Sequence, residues 1–371
     1  MRVLLVSPYS EKLVGGIINW TKNIVNYYRE NGGDVDLTLL NNENATQVFG
    51  STNAVKRLFA GLSNYLPVMQ QFKKAVSNEH FDVAHICTSG SLGLIRDLLI
   101  AKAAKKNGVK TVAHTHFGRI PQILSSRGWE RFLLKWLLKR VDCVAVMDGF
   151  SLKALQEQGY NNVRFVPNPL STDVQKLIEK LGETVREPRK IVYAGHVLPS
   201  KGLKELVEAC RDIYQIKLEI IGKVSDEAFR EQLYQIGGDN SRNWLDIPGN
   251  KPFEDVIKEM KSCGVFVLPS YSEGFPNVIL ESMACGCPIV ATSVGAMPEM
   301  LDIAGVNPCG VCVSVRSVEE LRKAIIDLLG NPIKSSALGT NARVRVNEQY
   351  AMPKVWDLLM TMWKAMGEVE S

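Results

Sequence analysis

Residues 263–300, CGVFVLPSYSEGFPNVILESMACGCPIVATSVGAMPEM, decide how the chain folds. Val265, Phe266, Val267 and Leu268 are consecutive and apolar, the pattern of a strand covered on both faces. The loop 270–275 follows, Pro276 sits in a first helical turn, Val278 to Cys285 runs without a breaker, and Gly286 supplies a left-handed stop. Pro288 to Thr292 reads as the next strand. A strand, loop, helix and strand in this order belong to a parallel sheet, and such sheets bind ligands beyond the carboxyl ends of their strands.

Two carboxylates lie on this unit, Glu273 in the loop and Glu281 in the helix. Helical side chains lean toward the amino end, so Glu281 can point back toward the loop and share a cleft with Glu273. The first helical amides, at Pro276 to Val278, favour an anion such as a phosphate. Carboxylates repel phosphate, so both glutamates are suited to hydroxyls on either side of it, and hydroxyls flanking a diphosphate describe a nucleotide sugar. Taken singly, each glutamate reads first as a solvated residue, Glu273 on a loop and Glu281 on a helix surface.

The run from Glu273 through Phe275, Pro276, Asn277 and Val278 to Glu281, continued by Ala284 to Thr292 and Gly295 to Glu299, resembles the signature of family 4 retaining glycosyltransferases of the GT-B fold. That resemblance implies an α/β chain of two facing Rossmann-like, doubly wound domains with an interdomain cleft. It implies transfer of a sugar from a nucleoside diphosphate donor to a hydroxyl, with the anomeric configuration retained. Glu273 would hold donor-sugar hydroxyls and Glu281 the ribose.

The chain of 371 residues exceeds what one core usually supports, which predicts two domains. Its 46% apolar and 22% charged composition is that of a soluble globular protein, and a net charge of +5 without a basic stripe speaks against a nucleic-acid binder. The eight cysteines are scattered, which suits reduced thiols in a cytosol. Cys285 with Cys287 and Cys309 with Cys312 offer a four-thiolate zinc site as the alternative. The apolar run in MRVLLVSPYSEK reads as a first strand and is too short for a signal peptide. The longest uncharged run, Ser282 to Pro298, is broken by prolines and glycines, so no membrane span is expected.

The first half alternates strands and helices: Val3 to Ser7, Ile17 to Glu30, Val35 to Leu40, then strands at Phe81 to Cys87, Lys110 to His114, Asp142 to Met147 and Val163 to Val166. Gly15-Gly16, before the first helix, lets a backbone approach a ligand or simply makes a turn, and lacks dinucleotide-binding spacing. By resemblance it matches the family's glycine-rich loop over the donor sugar. His116 matches the family's sugar-binding histidine, with His114 as second candidate. Asp34-Val-Asp36 has the D-x-D form of a metal motif, but it opens a strand without further acidic support, so no metal is expected. In Arg127 to Arg140, Arg127, Arg131, Lys135 and Lys139 make a basic face, and Trp129, Phe132, Leu133 and Trp136 an apolar side. Such a helix covers a sheet or lies on an anionic bilayer.

Val166 to Leu170 ends the first domain, predicted as 1–168, with a linker at 169–189. The nucleotide-sugar-binding domain is expected at 190–350, with strands at Ile191 to Ala194, Leu218 to Gly222, Trp244 to Gly249 and Val311 to Val315. The final stretch, 351–371, reads as a core-seeking helix that by resemblance crosses back to the first domain. Lys201, beside Gly202 at a loop entering a helix, suits a diphosphate. By resemblance this loop carries an arginine and a lysine; His196 stands where the arginine would be, and removes a bidentate cation. The resemblance puts the nucleoside base near Lys223 and Lys251. Acceptor contacts are expected within Asn41 to His80 and around Arg119 to Trp129.

The expected chemistry is thus a cytoplasmic, metal-independent transferase using a UDP- or GDP-sugar and a glycan or lipid-linked acceptor, with no cofactor. His116, Glu273 and Lys201 are its catalytic candidates; Gly15, Gly16, His196, Phe275 to Val278 and Glu281 are its donor contacts. A nucleotide-sugar 2-epimerase of the same architecture and a non-catalytic nucleotide-sugar-binding subunit are the alternatives.

Overall fold

The computed structural model describes residues 1–11, 13, 15–43 and 54–367, with side chains in the last stretch from 65 onward. The part of the expected acceptor region at 44–53 lies outside the described residues. The chain forms two compact units, Met1–Asn168 with Met352–Ser371, and Pro169–Ala351.

Unit 1 alternates β1 (Arg2–Ser7), α1 (Gly16–Asn31), β2 (Asp36–Asn41), α2 (Ala54–Asn78), β3 (Val83–Thr88), α3 (Gly93–Lys106) and β4 (Lys110–Thr115). The helices α4 (Ile120–Ser125) and α5 (Trp129–Leu138), then β5 (Cys143–Val146), α6 (Gly149–Glu157) and β6 (Val163–Phe165), complete it. The strands form one parallel sheet in the order β2-β1-β3-β4-β5-β6. Consecutive β1 residues go to opposite cores: Leu4 and Val6 pack beneath α2 to α6, whereas Val3 and Leu5 pack with Trp20 and Ile24 of α1. Burial on both faces is why the strands read as unbroken apolar runs.

Unit 2 contains α7 (Thr172–Lys180), β7 (Glu187–Ala194), α8 (Leu203–Cys210), β8 (Lys217–Ile221), α9 (Glu227–Gly237), β9 (Leu245–Gly249), α10 (Phe253–Ser262) and β10 (Cys263–Leu268). The rest is α11 (Asn277–Ala284), β11 (Ile289–Thr292), α12 (Met297–Met300), β12 (Val311–Val313), α13 (Val318–Gly330), α14 (Pro332–Arg345) and a π-helical turn, Val346–Tyr350. Its parallel sheet has the order β12-β11-β10-β7-β8-β9. The chain winds outward from β7 to β9, then returns to place β10 on β7's other side.

Two local readings are refined. The stretch 169–189 holds α7, capped by the Ser171 hydroxyl, and the first residues of β7. That strand begins with exposed Glu187 to Arg189, so the apolar run from Ile191 does not announce its start. Pro276 stands just before the first helical residue rather than in the first turn. Gly286, at φ 65°, is the left-handed stop. The last helix, α15 (Met352–Gly367), belongs to unit 1 and buries Val355, Trp356, Leu359 and Trp363 with α1's core residues.

Helix α5 corrects the reading in which its aromatic side covers the sheet. Leu134, Leu137 and Leu138 turn inward, while Trp129, Phe132 and Trp136 remain 55%, 68% and 43% exposed. Arg140 lies over the Trp136 ring at 4.5 Å. Among the described residues no helix is long and apolar enough to cross a membrane.

Candidate functional site

In unit 2 the loops after β7 and β10 leave adjacent strands on the two sides of the point where the winding reverses, the place where open α/β sheets bind ligands. Backbone contacts lock these loops together. Gly202 has φ 68°, and a Cβ there would lie 2.0 Å from the Pro269 carbonyl oxygen, so only glycine fits. The Tyr271 amide donates to the Ser200 carbonyl (3.0 Å). On the far side Gly295, at φ 55°, leaves no room for a Cβ, which would stand 2.2 Å from the Glu273 carbonyl oxygen.

This clamp brings Lys201 to Glu273. Lys201 Nζ donates to Glu273 Oε1 at 2.6 Å, with both side chains largely buried. The two were read separately in the sequence, one for phosphate and one for hydroxyls; the fold makes them one ion pair. Tyr193, on β7, is pushed well above the usual phenol range by burial and by the Glu273 charge, and its hydroxyl donates to the His196 carbonyl (2.9 Å). The His196 side chain is exposed.

Helix α11 begins four residues beyond Glu273; its Ile279 amide donates to the Pro276 carbonyl (3.1 Å), and the amides of Asn277 and Val278 precede the first intrahelical acceptor. The ring of Phe275 is buried against Tyr350 (5.6 Å between centroids), so what this residue offers a ligand is backbone. Glu281 is half-buried and its carboxylate makes no hydrogen bond or ion pair among the described residues; burial raises its carboxyl to about 7.

In unit 1, His85 on β3, His114 on β4 and His116 just past β4 lie against Trp20 of α1. The Trp363 indole N–H donates to His85 Nδ1 (2.9 Å), which therefore accepts. Burial holds His85 neutral, so its proton sits on Nε2, facing His114 Nδ1 at 3.2 Å. The His114 proton is then on Nε2, which donates to the Val166 carbonyl (3.2 Å). The chain is satisfied from indole to carbonyl, with both rings fully buried and His114 lowered to about 3 by burial. His116, just beyond β4, packs 4.2 Å from His114 and 4.9 Å from Trp20, and its buried Nε2 has no partner among the described residues. Of the two candidates, His114 spends both ring nitrogens inside the fold and His116 keeps one. His85 and the role of Trp363 escaped the sequence reading because nothing local links residues 278 positions apart.

Gly15 has extended backbone and precedes α1; a Cβ on Gly16 would meet nothing within 4 Å. The pair is required by neither torsion nor packing and leaves open space in front of α1. Asp34 and Asp36 pair with Lys364 (3.1 Å) and Arg2 (3.0 Å). The four cysteines of the zinc alternative do not converge. Among the described residues one group, His85, Cys87 and His114, has ligand atoms within 4.8 Å of one another. Its ring nitrogens already serve the hydrogen-bond chain, which a bound ion would have to break.

Two units, each built on a parallel six-stranded sheet with helices, are the architecture of a GT-B glycosyltransferase. Family models agree: residues 14–174 match Glycosyltransferase Family 4, and residues 173–345 match Glycosyl transferases group 1. The chain belongs to this family of glycosyltransferases. It is 24% identical to an uncharacterized glycosyltransferase of Methanocaldococcus jannaschii over 92% of both chains. It is 25% identical to the GDP-mannose-dependent monoacylated alpha-(1-6)-phosphatidylinositol monomannoside mannosyltransferase of Corynebacterium glutamicum, over 73% of this chain and 71% of that one. Among solved structures, sucrose-phosphate synthase of Thermosynechococcus elongatus superimposes with a TM-score of 0.76 at 18% identity, covering 98% of each chain. Anabaena HepE in complex with UDP gives 0.72 at 15%, covering 98% of this chain and all of that one.

Proposed function

We propose that this enzyme moves a hexosyl group from a UDP- or GDP-sugar to a hydroxyl of a glycan or lipid-linked acceptor, with retention and without a metal ion, in surface polysaccharide or glycolipid synthesis. The observation that carries the reading is the Lys201–Glu273 pair at the sheet's reversal point, beside the start of α11. A donor diphosphate attracts Lys201, the α11 amides balance the charge that grows on the leaving phosphate, and Glu273 and Glu281 accept sugar and ribose hydroxyls. The same reading keeps His116, whose buried Nε2 has no partner among the described residues, and the amides at Gly15 and Gly16 as candidate donor contacts.

No side chain in this reading serves as nucleophile. The acceptor oxygen attacks the anomeric carbon on the face the diphosphate leaves; the carbon–oxygen bond breaks toward phosphate, and the acceptor proton passes to a phosphate oxygen. A covalent sugar adduct trapped on the enzyme during turnover would contradict this course. Contact with an anionic membrane belongs to the same reading, through the exposed aromatics and cations of 127–140.

The direct test is calorimetry with UDP, GDP and their sugar conjugates, with and without EDTA, on wild type and Glu281→Ala. Selective binding that resists EDTA and weakens in the variant is expected. Absence of binding to any of them would remove the donor-site assignment.

A further inference from the structure

Unit 2 has a second concave region, built where β10 begins and α11 ends. A cavity of about 360 Å³ is walled by Pro188, Pro288, Leu328 and Pro332, with Arg186 and Arg343 at its edge. A neighbouring cavity of about 410 Å³ shares both arginines and adds Lys261, Glu179 and Glu183. Glycines set the first cavity's shape. A Cβ on Gly264 would lie 2.4 Å from the Pro188 carbonyl oxygen, and one on Gly339 would lie 2.1 Å from that of Gly286. The backbones therefore touch, and the walls are rigid.

The three cations are not equivalent. Arg186 is spent on helix ends: its guanidinium donates to the carbonyls of Cys263 (3.0 Å), Cys285 (2.8 Å) and Gly286 (2.7 Å). Lys261, buried, donates to the carbonyls of Ile178 and Gly182. Burial lowers its ammonium below the ordinary range, and Arg343 and Arg186 both add to that. Arg343 is different. Its carbonyl accepts from Asn347 Nδ2 (2.9 Å), but its exposed guanidinium, lying over Gly286 where a Cβ would stand 2.8 Å from Nη2, makes no hydrogen bond or ion pair among the described residues. None of the three has a carboxylate within ion-pair distance among those residues, so the rim carries positive charge beside a mostly apolar hollow.

A hollow of this size, apolar with one convergent fork of N–H donors, has the make-up of a small-molecule site. We propose that the cavity between α13, α14 and the β10 edge binds a small amphiphilic anion, its apolar body against Pro188, Pro288, Leu328 and Pro332 and its oxyanion on Arg343. This site does not rest on the nucleotide-sugar reading. Gly286, under Arg343, closes the helix that begins at the donor loop, so an occupant here bears on the far end of α11.

Naphthalene-2-sulfonate is the probe, titrated calorimetrically into the intact protein. One saturable site is expected, weakened about tenfold or more in Arg343→Ala, as loss of a charged hydrogen bond requires, and partly restored in Arg343→Lys. Ser336→Trp, at an exposed position on the cavity rim, should block it without changing the melting temperature. Saturating UDP or GDP and the triple variant Trp129→Ala, Phe132→Ala, Trp136→Ala should leave binding unchanged. Displacement by nucleotide, loss in the triple variant, equal affinity in Arg343→Ala, or no saturable binding up to millimolar probe would each overturn the proposal.

Discussion

Lys201→Met removes the ammonium that stands 2.6 Å from Glu273. A diphosphate seated against Lys201 loses a charged hydrogen bond, about 1.5–3 kcal/mol. Glu273, only 16% exposed at its side chain, also loses its counterion and becomes a net repulsive charge. At about 5 Å from a phosphate and an effective dielectric near 20, that repulsion reaches about 3 kcal/mol, less what solvent and rotation of the freed side chain screen. The expected total is about 2–4 kcal/mol, or about 30- to 1,000-fold in the dissociation constant for UDP or GDP. Replacing Glu273 by Gln in the Lys201→Met background removes the repulsive part and should recover about tenfold. Calorimetry at fixed ionic strength reads both steps. Wild-type affinity in Lys201→Met would refute Lys201 as the phosphate cation; a double variant no tighter than Lys201→Met would refute the coupling drawn from the ion pair.

Glu281 gives a pH signature. Burial raises its carboxyl from 4.5 to about 7, so the folded chain holds that proton longer than the unfolded chain does. Its stability contribution is fully present below about pH 4.5 and lost as pH rises through 7, by at most about 3 kcal/mol; urea melts should show Glu281→Gln matching wild type at pH 5 and exceeding it at pH 8, and parallel pH profiles would count against it. Trp363→Phe leaves His85 Nδ1 without its donor and should cost about 1–3 kcal/mol in urea unfolding, while nitrogen NMR of wild type should find the His85 and His114 protons on Nε2. For α5, wild type should sediment with phosphatidylglycerol vesicles in a salt-dependent way, and the Trp129, Phe132, Trp136 triple alanine variant should lose most of that binding, since each buried aromatic contributes about 1.5–3 kcal/mol. Equal sedimentation of the two would exclude the aromatic face as the contact.

Much of this protein is local in origin and was legible as sequence. The apolar run 265–268 and the stop at Gly286 name a buried strand and a helix end by near-neighbour rules alone, and they put Glu273 on a loop and Glu281 on a helix. The alternation of such units determined two parallel sheets. What the tertiary structure alone decided is which distant groups meet. Lys201 and Glu273 are 72 residues apart and become partners because β10 returns to lie beside β7. Trp363 reaches His85 across 278 residues, and that chain of bonds, invisible to any local pattern, separates His114 from His116. In α5 both the leucine and the aromatic sides are apolar, so periodicity could not choose the buried one; packing chose the leucines. Periodicity follows from backbone geometry within a turn or a pleat, whereas partner choice follows from strand order, which depends on the whole chain.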